Sequence, residues 1–185
     1  SHMMKAKKWM ILLLSLLLAS SILSGCSNDD ATTSSFSSFT GYTLDGETFT
    51  QDDIKSKDLT IINYWGMFCG PCRAEMPDLA AYEKALPENV QLITICIDAG
   101  NDLEGTRDFL TSCGYEGVTL ISGDEALASV VNTVQSFPTT VFVNSRGEVK
   151  GTPIIGMQPD LSEAYTTAAN KVLSEEGKAE ISLAD

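Results

Sequence analysis

The stretch Trp65-Gly66-Met67-Phe68-Cys69-Gly70-Pro71-Cys72 decides the fold, and it follows an apolar run over residues 59–64. An apolar run followed by Gly-Pro predicts a buried strand that turns into the start of a helix. Cys69 then lies at the helix N-terminus, where free backbone N–H groups and the helix dipole favour a thiolate. Pro71 fits the first turn, in which a missing N–H costs nothing. Since two cysteines separated by two residues can close and reopen a small ring, this pair is a candidate carrier of two electrons.

Half of a zinc site is the alternative interpretation of a Cys-x-x-Cys pair. Such a site needs a second pair or histidines at ligand spacing. The other cysteines are Cys26, Cys96 and Cys113, and the sequence has one histidine, His2. His2 lies in Ser1-His2-Met3, which resembles a cloning remnant ahead of a native start at Met4. The spacing therefore favours redox chemistry, and we expect neither a metal nor another cofactor.

Residues 1–25 have the pattern of this remnant followed by a lipoprotein signal peptide. A positive region made by Lys5, Lys7 and Lys8 precedes an apolar region over residues 9–23. Leu23-Ser24-Gly25-Cys26 then forms a small-residue cleavage site that resembles the lipobox of bacterial lipoproteins, which implies a lipid on Cys26. An uncleaved membrane helix is the alternative, although the run is shorter than the roughly 20 residues of a usual span. Both interpretations place the rest of the chain outside the cytoplasm, anchored to a bacterial membrane in the cell envelope.

The chain after Cys26 is acidic and long enough for one domain. All 25 acidic residues and 9 of the 12 basic residues follow Cys26, which leaves this part with a net charge of about −16. Such a charge argues against nucleic acid and against electrostatic adhesion to anionic lipid. Residues 26–38 are polar without periodicity, which predicts a flexible tether. We expect the folded domain over residues 39–176 and a C-terminal tail over 177–185.

The domain shows an alternation of strand and helix patterns. Asp45-Gly46 predicts a hairpin over residues 39–49, and Asn144-Ser145-Arg146-Gly147 predicts a second hairpin turn. The expected strands cover residues 59–65, 90–97, 118–121, 139–143 and 148–155. The expected helices cover residues 71–86, 102–112, 124–131 and 160–173. Pro77 is expected to kink the first of these helices. This order predicts an α/β sandwich in which a mixed sheet lies between helices.

Residues 65–77 together with Phe137-Pro138-Thr139-Thr140 resemble the thioredoxin superfamily. Within it, the chain is most similar to the membrane-tethered TlpA/ResA-like thiol-disulfide oxidoreductases. Glu75-Met76-Pro77 after the second cysteine is typical of that group, as are an additional strand and helix before Pro138 and a lipoprotein signal. The resemblance covers about residues 39–173. It implies a thioredoxin-like three-layer sandwich with an N-terminal hairpin and an extra βα insertion.

The resemblance also implies roles for individual residues. Cys69 is expected to be the exposed attacking cysteine, Cys72 the buried resolving one, and Pro138 a cis-proline beside them. A thiolate attacks a partner's disulfide to form a mixed disulfide, and a second thiol one turn inward releases the product. A cis bond would turn the backbone of Phe137 towards Cys69, where an extended peptide could pair with it. An ordinary strand entry is the alternative for Phe137-Pro138.

The chain departs from the superfamily pattern near the resolving cysteine. Asn63 stands where thioredoxins often place a buried aspartate, and Gly70 stands where some ResA-like proteins carry a glutamate. The residue that moves the proton of Cys72 is therefore open. Glu75 is a candidate, and a helix-start charge that favours the dipole is its alternative role.

Aromatic residues near the cysteines bear on partner choice. Phe68 replaces a more usual tryptophan, and Phe137 is bulky beside the proline, so substrate preference is not transferred from the relatives. Trp65, Met67 and Phe68 could form an apolar rim for a partner protein. Core packing is the alternative, and for Trp65 the favoured, role.

Cys96 and Cys113 raise the question of a second disulfide in an oxidising compartment. In a βαβ unit the helix runs antiparallel to the strand, which puts Cys113 near the start of the strand and Cys96 at its end. That separation exceeds the ~7 Å Cα limit of a disulfide. We expect two buried thiols instead.

The favoured function is that of a tethered protein thiol-disulfide oxidoreductase. Gly70-Pro71 between the cysteines resembles reducing thioredoxins, so a reductant is expected. The resemblance implies electrons from a membrane thiol transporter and protein substrates with disulfides, such as apocytochrome c, peptide methionine sulfoxide reductase or misoxidised proteins. A peroxiredoxin-like peroxidase would need a lone peroxidatic cysteine near a Thr, and a Sco-type copper carrier would need a histidine. A non-catalytic binding lipoprotein is the remaining alternative, and it would keep its activity in Cys72→Ala.

Overall fold

The computed structural model describes residues 35–183, so the predicted signal, the lipidation site at Cys26 and most of the predicted tether lie outside the described residues. Within the described range, no helix has both the length and the apolar character needed to cross a membrane.

Strands and helices alternate along the described chain, as the sequence pattern predicts. The strands are β1 (Thr40–Thr43), β2 (Thr48–Thr50), β3 (Leu59–Trp65), β4 (Val90–Cys96), β5 (Val118–Gly123), β6 (Thr139–Asn144) and β7 (Val149–Ile155). The helices are α1 (Gln51–Lys55), α2 (Gly70–Ala85), α3 (Leu103–Ser112), α4 (Glu125–Val131) and α5 (Leu161–Glu175), with a 3₁₀ turn over Ala99–Asn101. Helix α2 continues through Pro77.

All the strands form one mixed sheet, in the order β2-β1-β5-β4-β3-β6-β7. The central strands β3, β4 and β5 are parallel, whereas β6 and β7 on one side and β1 and β2 on the other are antiparallel. The predicted mixed sheet and both predicted hairpins are confirmed. Because parallel strands end at the same edge, the carboxyl ends of β3 and β4 lie side by side, with Trp65 opposite Cys96.

Strand β3 shows how the core is built, since every one of its residues is buried. Ile61 faces a cluster that includes Met76 of α2 and Tyr165 of α5. Ile62 faces the opposite cluster, which includes residues of α1 and α4. Alternate side chains of a strand point to opposite faces, so burial on both faces requires helices on both sides of the sheet.

The folded part reaches further at both ends than the prediction of residues 39–176. Phe36 is 1% exposed, and its ring meets that of Phe39 edge-on at a centroid distance of 5.5 Å. Near the other end, Ile181 is buried and both donates to and accepts from the Asn170 side chain. Phe36 therefore belongs to the core rather than to the tether, and Ile181 belongs to it rather than to a free tail.

One helix is absent from the prediction. Helix α1 is a single short turn held by a capping box, in which Asp53 accepts from the Thr50 N–H at 2.9 Å. Its Ile54 is buried against the sheet. A capping box closed by Asp instead of the usual Glu or Gln is a weak sequence signal, so this helix is easily overlooked.

Candidate active site

The two cysteines lie where β3 turns into α2. Cys69 is the N-cap of α2, and its Sγ accepts a hydrogen bond from the Cys72 backbone N–H at 3.3 Å. Pro71 occupies the first turn, where its missing N–H leaves no partner unpaired. The predicted position of Cys69 at the start of a helix is confirmed.

Cys69 and Cys72 form a disulfide, with their Cα atoms 5.3 Å apart. Cys69 is 6% exposed and Cys72 is 1% exposed. The expectation of an exposed Cys69 is therefore wrong for the disulfide form. As a residue, Cys69 is nevertheless the more exposed of the two cysteines. Gly70, between them, faces open space on the outer side.

The Phe137–Pro138 peptide bond is cis, in agreement with the resemblance. The Phe137 carbonyl oxygen lies 3.6 Å from the Cys69 Sγ. On the other side of the bond, the Pro138 carbonyl accepts from the Gly156 N–H at 2.8 Å, which ties this segment to the end of β7. A backbone segment therefore runs directly beside the disulfide.

Apolar side chains surround this position, but they are only partly those of the predicted rim. Phe68 is 65% exposed and meets Phe137 edge-on at a centroid distance of 5.8 Å. Ile155, which ends β7 and pairs with Thr139, and Met157, two residues further along the chain, are also exposed. Trp65 is fully buried in the core, so the alternative role, core packing, is the correct one for it. Met67 is partly buried against the same core.

Glu75 lies one turn beyond Cys72 on α2 and is only 2% exposed. Its Oε1 is 3.4 Å from the Asn63 Nδ2, and its Oε2 has no hydrogen-bond partner of ordinary geometry. Burial raises the pKa of this carboxyl group from 4.5 to about 7, against a smaller opposite effect of the Asn63 hydrogen bond. Glu75 lies beyond the first turn of α2 and is buried, so the alternative role, a helix-start charge that favours the dipole, is not the one it has.

Asn63 connects Glu75 to a buried polar network formed by the neighbouring strands β3 and β6 and by helix α5. Its Nδ2 donates to the Thr140 Oγ1 at 3.1 Å and lies 3.4 Å from the Tyr165 hydroxyl. The Thr140 and Tyr165 hydroxyls share a hydrogen bond of 2.7 Å. Burial, and next the nearby Glu75, raise the pKa of Tyr165 well above its usual range, so its hydroxyl stays protonated. The network therefore presents neutral hydrogen-bonding groups to Glu75.

The other two described cysteines are free thiols, as expected. Cys96 is buried, and burial raises the pKa of its thiol to about 12. Cys113 is only partly buried, which corrects the expectation of two buried thiols. Residues 35–183 contain no cluster of three or more His, Cys, Asp or Glu side chains able to hold a metal ion.

Sequence reasoning missed three residues at this site: Asp98, Thr140 and Tyr165. Thr140 and Tyr165 meet Asn63 only through the tertiary fold, and the sequence has no local signal for that meeting. Asp98 does have a local signal in the sequence. It lies two residues after the end of β4, and the carboxyl ends of parallel neighbours meet at one edge, so an acidic residue there is expected near the end of β3.

The chain matches the model of the Redoxin family over residues 28–168. Among characterised proteins, it is 26% identical over 105 residues to the thiol-disulfide oxidoreductase ResA of Bacillus subtilis, which is 56% of each chain. It is 23% identical to the sporulation thiol-disulfide oxidoreductase A of the same species, over 67% of this chain and 74% of that one. The chain spans 56% to 62% of the length of the first two relatives it matches.

Solved structures show the same fold. A thiol:disulfide interchange protein of the thioredoxin family from Chlorobium tepidum superposes with a TM-score of 0.60 at 24% identity, over 76% of this chain and 99% of that one. StoA from Bacillus subtilis superposes with a TM-score of 0.53 at 22% identity, over 65% and 88% of the two chains.

Proposed function

The chain belongs to the Redoxin family and is a TlpA/ResA-like member of the thioredoxin superfamily, and on this premise we propose that it is an extracytoplasmic protein thiol-disulfide oxidoreductase. Its redox centre is the Cys69–Cys72 pair, which acts as a reductant of disulfides in other proteins. The observation that carries the proposal is the position of this disulfide at a helix N-terminus, with the Phe137 carbonyl 3.6 Å from the Cys69 sulfur.

The first step is attack by the Cys69 thiolate on one sulfur of a partner disulfide. The helix N-terminus supplies the Cys72 N–H as a donor to the Cys69 sulfur, which favours the thiolate. A Cys69–partner bond forms, the partner S–S bond breaks, and the second partner sulfur leaves as a thiolate that takes up a proton. An extended partner segment can lie along the backbone at Phe137 during this step.

The second step is attack by Cys72 on the mixed disulfide. Cys72 must lose its proton before it attacks the Cys69 sulfur, and the first partner sulfur then leaves and takes up a proton. The partner disulfide is thereby reduced to two thiols, and the Cys69–Cys72 pair is oxidised to its disulfide. A reductant outside the chain must then reopen the pair.

Glu75 is the proposed acceptor of the Cys72 proton. It lies three residues from Cys72 on the same face of α2, it is buried, and its pKa is about 7. A carboxylate with a pKa near the working pH can take a proton and return it. Because only the ionised form accepts a proton, the second step should accelerate as the pH rises through about 7.

The direction and the location of the reaction are inferred from the sequence. Gly70-Pro71 supports a reducing role by its resemblance to reducing thioredoxins. The signal pattern and Cys26 support a lipid-anchored domain in the cell envelope. We propose a membrane thiol transporter as the electron donor and disulfide-containing proteins, of which apocytochrome c and methionine sulfoxide reductase are examples, as the substrates.

Reduction of insulin by dithiothreitol tests the proposed function. The wild-type protein should accelerate the reduction, and the variant with both Cys69→Ala and Cys72→Ala should not. Cys113→Ser is the matched control and should keep the activity, because this free cysteine is the C-cap of α3 and makes none of the contacts described at the redox centre. A wild-type protein without effect, or a double variant as active as the wild type, would refute the proposal.

A further inference from the structure

Asp98 lies beside the redox centre but has no part in the reaction described above. It lies two residues after the end of β4, at the edge of the sheet where β3 also ends. The Ile97 N–H donates to the Trp65 carbonyl at 3.0 Å, which joins the segment after β4 to the last residue of β3. Asp98 therefore faces loop 66–68, the segment that leads from β3 to Cys69.

The Asp98 carboxylate binds this loop through both oxygens. Oδ1 accepts from the Met67 N–H at 2.8 Å, and Oδ2 accepts from the Phe68 N–H at 3.1 Å. The Cys96 thiol donates to Oδ1 at 3.4 Å. Hydrogen bonds to an ionised acceptor are about twice as strong as neutral ones. Two consecutive amides of the loop are thus held by a single side chain from the segment that follows the neighbouring strand.

Loop 66–68 begins with a glycine that lies against the Phe68 ring. A Cβ on Gly66 would lie 2.4 Å from that ring and 3.3 Å from the Asp98 Oδ1, so a larger residue there would displace the exposed Phe68 ring. The Gly66 carbonyl in turn accepts from the Cys69 N–H at 3.1 Å. The position of Cys69 and the direction of the exposed Phe68 ring are therefore both coupled to the loop that Asp98 holds.

We propose that Asp98 is a positioning residue of the redox centre, which holds loop 66–68 so that Phe68 and Phe137 flank the Cys69 sulfur for a docked protein substrate. The inference rests on the proposed function. Asp98 acts through the Met67 and Phe68 amides and needs no contact with the reacting sulfurs. Its loss should affect a large protein substrate, which uses the aromatic flanks, more than a small disulfide reagent, which does not.

Asp98→Asn is the informative substitution, because it keeps the size of the side chain but turns one acceptor into an NH₂ group that opposes a backbone N–H. Asp102→Asn is the matched control. Asp102 also accepts from a backbone amide, that of Gly105 at 2.9 Å, but at the start of α3. Both variants lose a carboxylate that accepts hydrogen bonds from backbone N–H groups, but only Asp98→Asn loses the carboxylate that binds loop 66–68.

The experiment measures kcat and KM for insulin reduction, together with the rate of reaction of the reduced protein with Ellman's reagent. For Asp98→Asn we expect kcat/KM to fall about tenfold, mainly through KM, since small displacements at a reacting centre cost factors of ten or more. The rate with Ellman's reagent should change less than about threefold, and Asp102→Asn should stay within about twofold of the wild type in both assays.

The inference is overturned if Asp98→Asn matches either the wild type or Asp102→Asn in kcat/KM per folded molecule. It is also overturned if the rate with Ellman's reagent falls as far as that with insulin. If Asp98→Asn does not fold, Asp98→Ser, whose hydroxyl can accept from one of the two amides, should give a smaller loss of the same kind, and no loss would count against the inference. An inactive wild-type protein would instead refute the proposed function. Protection of the Met67 and Phe68 amides from hydrogen exchange would then still show whether Asp98 holds loop 66–68.

Discussion

Glu75 brings an ionisable group into the core within one turn of the resolving cysteine. Its helical spacing was a usable signal, because residue 75 lies three positions after Cys72 and four before Leu79, on the face that the apolar residues of α2 define. The alternative role, a helix-start charge that favours the dipole, would need Glu75 in the first turn of α2, and Glu75 lies beyond it. The helical period was the better guide, since Asn63 provides the buried carboxylate with a hydrogen-bond donor.

The buried Glu75 should make stability depend on pH. Its pKa is about 7 in the folded protein against an ordinary value of 4.5, so the folded state binds a proton that the unfolded chain releases between these values. This contribution to the free energy of unfolding is complete below about pH 4.5 and is lost as the pH rises through about 7, and it amounts to on the order of 3 kcal/mol. The free energy of unfolding of the wild-type protein should therefore fall as the pH rises through about 7, and Glu75→Gln should remove the part of this fall that Glu75 causes.

Urea unfolding at several values between pH 4.5 and 8, followed by Trp65 fluorescence, measures this effect. Glu104→Gln, at an exposed position of α3, is the matched control and should keep the pH dependence of the wild type. An unchanged pH dependence in Glu75→Gln would show that Glu75 titrates normally, and it would remove the main support for its role as proton acceptor.

At the scale of secondary structure, the elements that carry the site were predictable from local patterns. The apolar run of β3, the Gly-Pro start of α2 and the turn at residues 144–147 each follow from a short stretch of sequence. Gly147 adopts a φ of 80°, and its backbone packs against Phe36, which is why glycine is needed in that turn. Contacts between distant elements were not predictable, which is why Thr140 and Tyr165 were missed.

The segment before β1 contributes to stability through Phe36. This residue is 1% exposed, and its N–H donates to the Gly147 carbonyl at 2.9 Å. Phe36→Ala should lower the free energy of unfolding by about 3–5 kcal/mol, because it leaves a cavity in the core. Phe68→Ala, which removes a ring that is 65% exposed, should cost less than about 1 kcal/mol.

Equilibrium unfolding in urea compares these two phenylalanine variants directly. Equal losses of stability would mean that the segment around residue 36 does not pack against the sheet, and that the folded domain begins at Phe39 as the sequence pattern alone predicts.

At the scale of the whole molecule, an acidic domain carries a redox centre at one end of its sheet, surrounded by exposed apolar side chains. Phe68, Ile155 and Met157 are all among the exposed large apolar residues of the described chain. Such a patch beside a reactive pair suits transient contact with unfolded or extended protein segments. The fold class was predictable because each local pattern agreed with it, whereas the shape of this patch depends on how β6, β7 and loop 66–68 meet.

The central claim is that Cys69 opens the disulfide of another protein and that Cys72 resolves the bond so formed. Trapping tests it most directly: Cys72→Ala, expressed with its signal, should accumulate mixed disulfides with envelope proteins on non-reducing gels, and mass spectrometry should identify the partners joined to Cys69. The variant with both Cys69→Ala and Cys72→Ala should accumulate none, and a chelator should leave the trapped species unchanged. A lane without mixed disulfides for a folded and exported Cys72→Ala protein would contradict the claim and favour a non-catalytic binding role.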